Sequence, residues 1–127
     1  MTLILGNRLR KWVDPKTGNE GVSYWCQGCD GLHSIRTKGN GAWEWNGSAE
    51  TPVFSPSVLT TGKRKITEEE RTRIMSGEKL DIPDEICHTF VGCNGAKPGE
   101  VIFLSDCTHK LAGTVQPFPE LPDWLRT

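Results

Sequence analysis

The sequence predicts a mainly β fold, a small α+β class in which an antiparallel sheet carries one surface helix at about residues 67–76. Short segments alternate apolar with polar residues, as half-buried strands do. Glycine and proline, 14 and 8 of the 127 residues, separate these segments with turns. One segment, "ITEEERTRIMSG", carries the start and stop residues of a helix.

The first predicted strands lie in the N-terminal third of the chain. Residues 9–26 predict two strands joined by a turn, because Asp14-Pro15 and Gly18-Asn19 are strong turn formers. The stretch "VSYWC" alternates as a half-buried strand requires. A further strand is expected to return through His33 and Ile35.

The remaining strands follow from turn residues and prolines. "GAWEWNG" puts Trp43 and Trp45 on one face of a short strand that Asn46-Gly47 closes. "TPVFSPSVL" is expected to be extended, because each proline disfavours helix at the residue before it. "EICHTFV" and "EVIFLSDC" then predict a β-hairpin over a loop from Gly92 to Gly99.

The predicted helix has a signal at each end. Thr67 can cap its N-terminus, and Glu70 three residues later completes a capping box. Gly77 is suited to end it. Ile74 and Met75 give the helix little apolar surface, so we expect it to lie on the outside of the fold.

Composition narrows the class of protein. A net charge of −1 gives no electrostatic footprint for nucleic acid, so we expect no nucleic-acid partner. Apolar stretches are too short for a signal peptide or a membrane span, so we expect a cytoplasmic location and no membrane partner. A chain of this length fits a single domain, residues 1–127.

The cysteines and histidines predict a structural Zn²⁺ that staples the sheet. In the cytosol cysteines stay reduced, and five of them cannot all pair as disulfides. Cys26-Gln27-Gly28-Cys29 is a C-x-x-C knuckle whose tight turn can aim two sulfurs at one ion. The C-terminal hairpin supplies the second pair. Our first choice of metal ligands is Cys26, Cys29, Cys87 and Cys107, with His33 and His109 as substitutes.

Other interpretations of these residues remain open. Buried, unreactive cysteines are common in protein cores, and a thioredoxin-type redox pair has the same C-x-x-C spacing. No βαβ pattern surrounds the knuckle, which disfavours the redox pair. Cys107 and His109 would face the same side only if their segment stays extended. Cys93, in the glycine-rich loop, is left out of the ligand set.

The same alternation leaves one histidine free for chemistry. If Cys87 faces the metal, His88 faces the opposite side of its strand and can act as a general base. A serine nucleophile needs such a base, and Ser57 follows Pro56 in an extended segment. Asp106 is the nearest chemically suitable group to orient the imidazole, and a backbone carbonyl is the alternative, which would make a Ser-His dyad. Whether Asp106 faces the same side as His88 depends on the register of the hairpin, which the sequence leaves open. Without a local G-x-S-x-G signature, spacing alone favours ordinary turn, capping and network roles for these residues and does not establish an enzyme.

Combined motifs across about residues 22–124 resemble a family of small phage and prophage proteins of largely unassigned function. They are the knuckle with a later histidine, W-x-x-N-G, P-T-x-S-P-S, C-H-S-F, and D-C-T-H followed by L-A, here at Cys26–His33, Trp43–Gly47, Thr51–Ser57, Cys87–Phe90 and Asp106–Ala112. Val53 displaces the expected Pro-Thr spacing. Gln27 replaces the proline of the knuckle, and "GCNGAKPGE" enlarges the hairpin loop. For a phage-encoded member, the resemblance implies action in the cytoplasm of the host cell.

That family is in turn similar to the peptidase of bacterial operons for ubiquitin-like protein conjugation. The shared features are the cysteine knuckle, a Pro-Ser segment that falls on Pro56-Ser57, and a histidine segment that falls on His88. The resemblance implies a serine-type peptidase that trims or removes a ubiquitin-like tail, with zinc as a structural staple. A protein substrate or host protein would then be its partner. Asp106 and His109 gain no support from this similarity.

Two other functions compete with a zinc-stabilised serine hydrolase. A zinc-ribbon-like binding module without catalysis would use an aromatic face that includes Trp43 and Trp45, and would place Ser57 Oγ far from every histidine nitrogen. Alternatively, His33, His88 and His109 could hold a catalytic zinc with an open water position. That site would bind its metal through imidazoles rather than thiolates.

Overall fold

A computed structural model describes residues 2–63, 66–82 and 84–126. The first half of the chain forms a four-stranded antiparallel sheet whose strands are neighbours in chain order. Its strands are β1 (Thr2–Leu5), β2 (Leu9–Val13), β3 (Glu20–Cys26) and β4 (Gly31–Lys38). The turns predicted between residues 13 and 31 therefore connect strands as expected.

The second half forms a separate five-stranded antiparallel sheet, again in chain order. Its strands are β5 (Glu44–Trp45), β6 (Phe54–Lys63), β7 (Asp84–Val91), β8 (Glu100–Phe103) and β9 (Val115–Pro117). The mainly β fold class is confirmed, but the strands divide between two sheets rather than one. The short outer strands β1 and β9 were not predicted.

The core lies between the two sheets. Tyr24 of β3 stacks on Phe54 of β6 with ring centroids 5.6 Å apart. In β4, β7 and β8 buried residues alternate with more exposed ones, as the predicted half-buried strands require. The core cluster comprises Leu9, Val22, Tyr24, Cys26, Ile35, Phe54, Val58, Cys87, Val91, Val101, Phe103, Cys107 and Phe118. The outward face of the second sheet is thereby left to a different set of side chains.

Helix α1 (Glu68–Met75) lies in the connection between β6 and β7 and buries none of its residues. Thr67 accepts a hydrogen bond from the Glu70 backbone N–H, and the Glu70 carboxylate accepts one from Thr67 N–H. The capping box and the exposed position of the helix are both as predicted. A 3-10 turn (Asp123–Leu125) follows near the C-terminus. Within the described ranges, no helix is long and apolar enough to span a bilayer.

A bulge interrupts the pairing of β6 with β7. Phe54 pairs with Val91, and the regular register resumes where Val58 pairs with Thr89. Three residues of β6, numbers 55–57, therefore stand opposite the single residue Phe90. Bulges re-aim side chains, and they are common beside functional sites. Here the bulge contains Ser57.

Candidate active site and metal centre

Ser57, His88 and Asp106 form a hydrogen-bonded row on the outward face of the second sheet. Ser57 Oγ lies 2.9 Å from His88 Nε2. His88 Nδ1 lies 3.1 Å from Asp106 Oδ2. An imidazole that donates Nδ1–H to the carboxylate has an unprotonated Nε2, which can accept the proton of the serine hydroxyl. The structure thus brings together all three residues that the sequence analysis selected for catalysis.

The alternation of β7 points the side chains of Cys87 and His88 to opposite faces of the sheet. Cys87 is 1% exposed and points into the core. The side chain of His88 is 25% exposed and points outward. On the neighbouring strand the bulge delivers Ser57 to the same outward face, where its hydroxyl meets the imidazole.

The chain after β8 turns and runs beside His88. Leu104 N–H donates to the His88 carbonyl at 2.9 Å, and Thr108 N–H donates to the Ile86 carbonyl at 2.9 Å. Cys107 Sγ accepts the His88 N–H at 3.2 Å and lies 3.3 Å from the His88 carbonyl oxygen. These contacts fix Asp106 beside the imidazole, a register that the sequence alone left open.

Trp43 contacts the β6 bulge directly. Its indole Nε1–H donates to the carbonyl of Ser57 at 3.0 Å. The sequence analysis assigned Trp43 to an aromatic face, and no sequence pattern indicated this hydrogen bond. It holds the bulge from the side opposite to β7 and so helps to fix the backbone that carries Ser57.

A second cluster lies between the sheets, on the buried side of β7. Its members are Cys26, Cys29, Cys87 and His109, whose ligand atoms all lie within 4.8 Å of one another. The Cys26 and Cys87 sulfurs are 3.7 Å apart, and His109 Nε2 is 3.4 Å from Cys87 Sγ. Tetrahedral metal–sulfur bonds of about 2.3 Å hold two sulfurs roughly 3.8 Å apart. The cluster therefore fits one tetrahedral metal ion.

Hydrogen bonds within the cluster favour a thiolate at Cys26. The Cys29 and Cys87 thiols lower the pKa of Cys26. Hydrogen bonding to Cys26 raises the pKa of Cys29 to about 12 and also raises the pKa of Cys87. The Cys29 backbone N–H donates to Cys26 Sγ at 3.4 Å. A cation at the centre would stabilise the remaining thiolates.

Gly28 makes room for the fourth member of the cluster. A Cβ at this position would lie 2.2–2.4 Å from three atoms of the His109 ring. Gly28 is absent from the residues with positive φ, so it is close approach, rather than a curled backbone, that requires glycine here. The histidine ring packs directly over the C-x-x-C turn.

The fourth ligand position differs from the first choice made from the sequence. Cys107 lies outside the metal-sized cluster, and His109, named as a substitute, takes its place. The reason is that β8 ends at Phe103, so alternation no longer applies to the turn that carries residues 106–109. His33 also lies outside the cluster. It is 5% exposed and makes an edge contact with Tyr24.

Among the described residues, Cys93 belongs neither to the hydrogen-bonded row that contains Ser57 nor to the cluster that contains Cys87. Its thiol donates to the Phe54 carbonyl at 3.3 Å. This agrees with its exclusion from the predicted ligand set.

The geometry also bears on the competing functions. A binding module without catalysis would place Ser57 Oγ far from any histidine nitrogen, yet the two are 2.9 Å apart. A catalytic metal site would gather three imidazoles, yet the described cluster contains one imidazole and three thiols. His88 lies on the opposite face of its strand from Cys87. The geometry therefore has neither feature that would favour these alternatives.

Comparison with known proteins places the chain in a family. Residues 7–97, well over half of the chain, match the family model described as "Bacterial ubiquitination-like system serine protease (BubE)". The matched range includes Ser57, His88 and the three cysteines of the cluster, whereas Asp106 and His109 lie beyond it. No curated protein and no solved structure matches the chain. The similarity to a peptidase of ubiquitin-like conjugation systems is confirmed, and the chain belongs to the BubE family of bacterial ubiquitination-like systems.

Proposed function

We propose that the chain is a serine-type peptidase whose catalytic residues are Ser57, His88 and Asp106. The observation that carries the proposal is the continuous pair of hydrogen bonds from Ser57 Oγ through both ring nitrogens of His88 to Asp106. Nucleophile, base and orienting carboxylate in this order form the constellation that activates a serine on unrelated folds. The description of the matched family as a serine protease supports the same assignment.

Each residue has a defined step in the proposed reaction. As Ser57 Oγ attacks the carbonyl carbon of the scissile peptide, its proton passes to His88 Nε2. The protonated ring is stabilised by the Asp106 carboxylate, which is 3.1 Å from Nδ1. His88 then gives the proton to the leaving amine, and an acyl-enzyme remains on Ser57. A water that loses its proton to His88 hydrolyses this ester and restores the serine.

The substrate that we propose is a ubiquitin-like protein, cleaved at its tail. The support is the ubiquitination-like system named in the description of the matched family. An exposed triad suits this substrate, because the nucleophile must reach a peptide bond of a folded partner. The side chain of Asp106 is 56% exposed, and that of His88 is 25% exposed.

We further propose that the buried cluster holds a structural Zn²⁺. Three thiolates and one imidazole in tetrahedral arrangement are a common zinc donor set. Four protein ligands leave no open position for water or substrate, which is typical of a structural site. Cys26 and Cys29 come from the end of β3 and its turn, whereas Cys87 lies in β7 and His109 follows β8. The ion would join both sheets into one domain, residues 1–127.

The proposal is tested by cleavage of a ubiquitin-like protein that carries a short C-terminal extension, followed by mass spectrometry of the products. The wild-type protein is expected to release the tail, and Ser57→Ala is expected to abolish release while retaining its metal and its melting temperature. Ser55→Ala, two residues away on the same strand, is the matched control and should retain activity. Equal cleavage by Ser57→Ala would contradict the proposal.

A further inference from the structure

The outward face of the second sheet carries several apolar residues beside the triad. Alternation along β6 and β7 puts Leu59 on the same face as Ser57, and Ile86 and Phe90 on the same face as His88. Ile102 pairs with Phe90 across β7 and β8, which extends this surface beyond the triad. We call Leu59, Ile86, Phe90 and Ile102 the apolar face.

Leu59 is the most exposed member of the apolar face. It is the direct cross-strand partner of His88 in the β6–β7 register. Cβ atoms of such antiparallel partners lie about 5 Å apart. Leu59 is 54% exposed, although the inward neighbour Val58 is 2% exposed. An exposed leucine therefore borders the imidazole on one side.

Phe90 borders the imidazole along the strand. Its ring centroid lies 6.4 Å from that of His88, and the side chain is partly buried. It stands opposite the bulge that carries Ser57. The serine hydroxyl and the imidazole thus have aliphatic and aromatic carbon beside them. The charged group in contact with the imidazole is the carboxylate of Asp106.

We propose that the apolar face is a specificity surface that selects an extended peptide with an aliphatic side chain next to the scissile bond. The inference rests on the proposed function. Leu59 pairs directly with His88, whose ring contacts Ser57 Oγ, so a substrate carbonyl carbon at Ser57 would lie near this exposed leucine. An aliphatic substrate side chain that covers Leu59 removes apolar surface from water, whereas an acidic side chain would be repelled by Asp106.

Two fluorophosphonate probes test the inference without a known substrate. One carries an octyl chain and the other an uncharged polyethylene glycol chain of equal length, and the rate of adduct formation on Ser57 is measured for each. The wild-type protein is expected to prefer the octyl probe, and Leu59→Ser is expected to reduce this preference roughly tenfold, as loss of an apolar contact in a specificity site does. Leu59→Ser should slow labelling by the octyl probe more than labelling by the glycol probe. Leu59 is not part of the triad, and Met75→Ser on the exposed helix is the control.

The possible outcomes are separable. If the wild-type protein does not prefer the octyl probe, or if Leu59→Ser keeps the same preference, the inference is overturned and the proposed function is left intact. If neither probe modifies Ser57 in the folded protein, the proposed function fails, and the inference fails with it. If the wild-type protein is a dimer, and Leu59→Ser dissociates it without changing the probe preference, the apolar face binds a second copy of the chain and the inference is overturned. If Leu59→Ser is unfolded, Leu59→Thr replaces it with a residue of high strand propensity.

Discussion

Cys87 and His88 are consecutive residues of β7 that serve opposite faces of one sheet. The sulfur of Cys87 lies in the buried cluster, 3.7 Å from that of Cys26. The ring of His88 lies on the outer face, 2.9 Å from Ser57 Oγ. Asp106 and His109 belong to one four-residue segment, 106–109. Asp106 contacts the His88 ring, and His109 contacts the Cys87 sulfur. The metal cluster and the candidate triad therefore share the same two pieces of backbone.

Asp106→Asn should lower the rate of peptide cleavage by about a hundredfold or more, because the amide can no longer stabilise the protonated His88 ring. The melting temperature should change little, since Asp106 is exposed. The measurement is kcat/KM with the ubiquitin-like precursor. Asp81→Asn, an exposed carboxylate in another loop, is the control and should be fully active. An unimpaired Asp106→Asn enzyme would remove the carboxylate from the mechanism.

Cys26→Ser should abolish stoichiometric metal binding and lower the melting temperature, since Cys26 of the first sheet contacts Cys87 of the second. Activity should fall in parallel, because the loss of the ion frees the backbone on both sides of His88. Elemental analysis and thermal unfolding provide the two readouts. Cys93→Ser, which removes a thiol outside the cluster, should keep its metal. Retention of one metal per chain in Cys26→Ser would contradict the ligand assignment.

Cys107→Ala distinguishes between two ligand sets: the cluster seen in the structure, which contains His109, and the set that the sequence favoured, which contains Cys107. We expect the variant to bind one metal ion per chain, because Cys107 Sγ contacts the His88 backbone rather than the cluster. Cleavage should slow, since the two sulfur contacts that align His88 with the Asp106 segment are lost. Metal content and kcat/KM are measured on the same preparation, with Cys87→Ser as the metal-free comparison. A Cys107→Ala protein without metal would return Cys107 to the ligand set.

Gly28→Ala should lower the affinity for the metal by roughly 10–100-fold, as displacing the support of a ligand commonly does. The added Cβ would overlap the His109 ring, which must move away from Cys87. Competition with a chromophoric zinc chelator measures the affinity. Gly62→Ala is a matched control, because its Cβ would meet no atom within 4 Å and its φ is not positive. Equal affinities of the two variants would show that Gly28 does not make room for the ligand.

The sequence predicted the parts of the fold that depend on local patterns. The capping box of Thr67 and Glu70, the turn before β3 and the hairpin of β7 and β8 all follow from short-range propensity, and all are present. The division of strands into two sheets depends on pairing between distant segments, which no local pattern encodes. The outer strands β1 and β9 have four and three residues, too few to show a period.

In the candidate site, too, the sequence predicted what depends on a local pattern and missed what depends on pairing between distant segments. Alternation along β7 predicted that Cys87 and His88 face opposite ways, because a strand has a fixed period of two. Alternation failed for Cys107 and His109, because the chain leaves the strand after Phe103. Ser57 could be selected from its place after Pro56, but the bulge that brings it to His88 is a property of the β6–β7 register.

The most direct test of the central claim, that His88 activates Ser57, is peptide mapping by mass spectrometry after reaction with a fluorophosphonate. The account predicts a single adduct on Ser57 in the folded, metal-containing wild-type protein, and labelling slower by about a hundredfold or more in His88→Ala of equal metal content. Absence of an adduct on Ser57, or equal labelling rates in the two proteins, would contradict it.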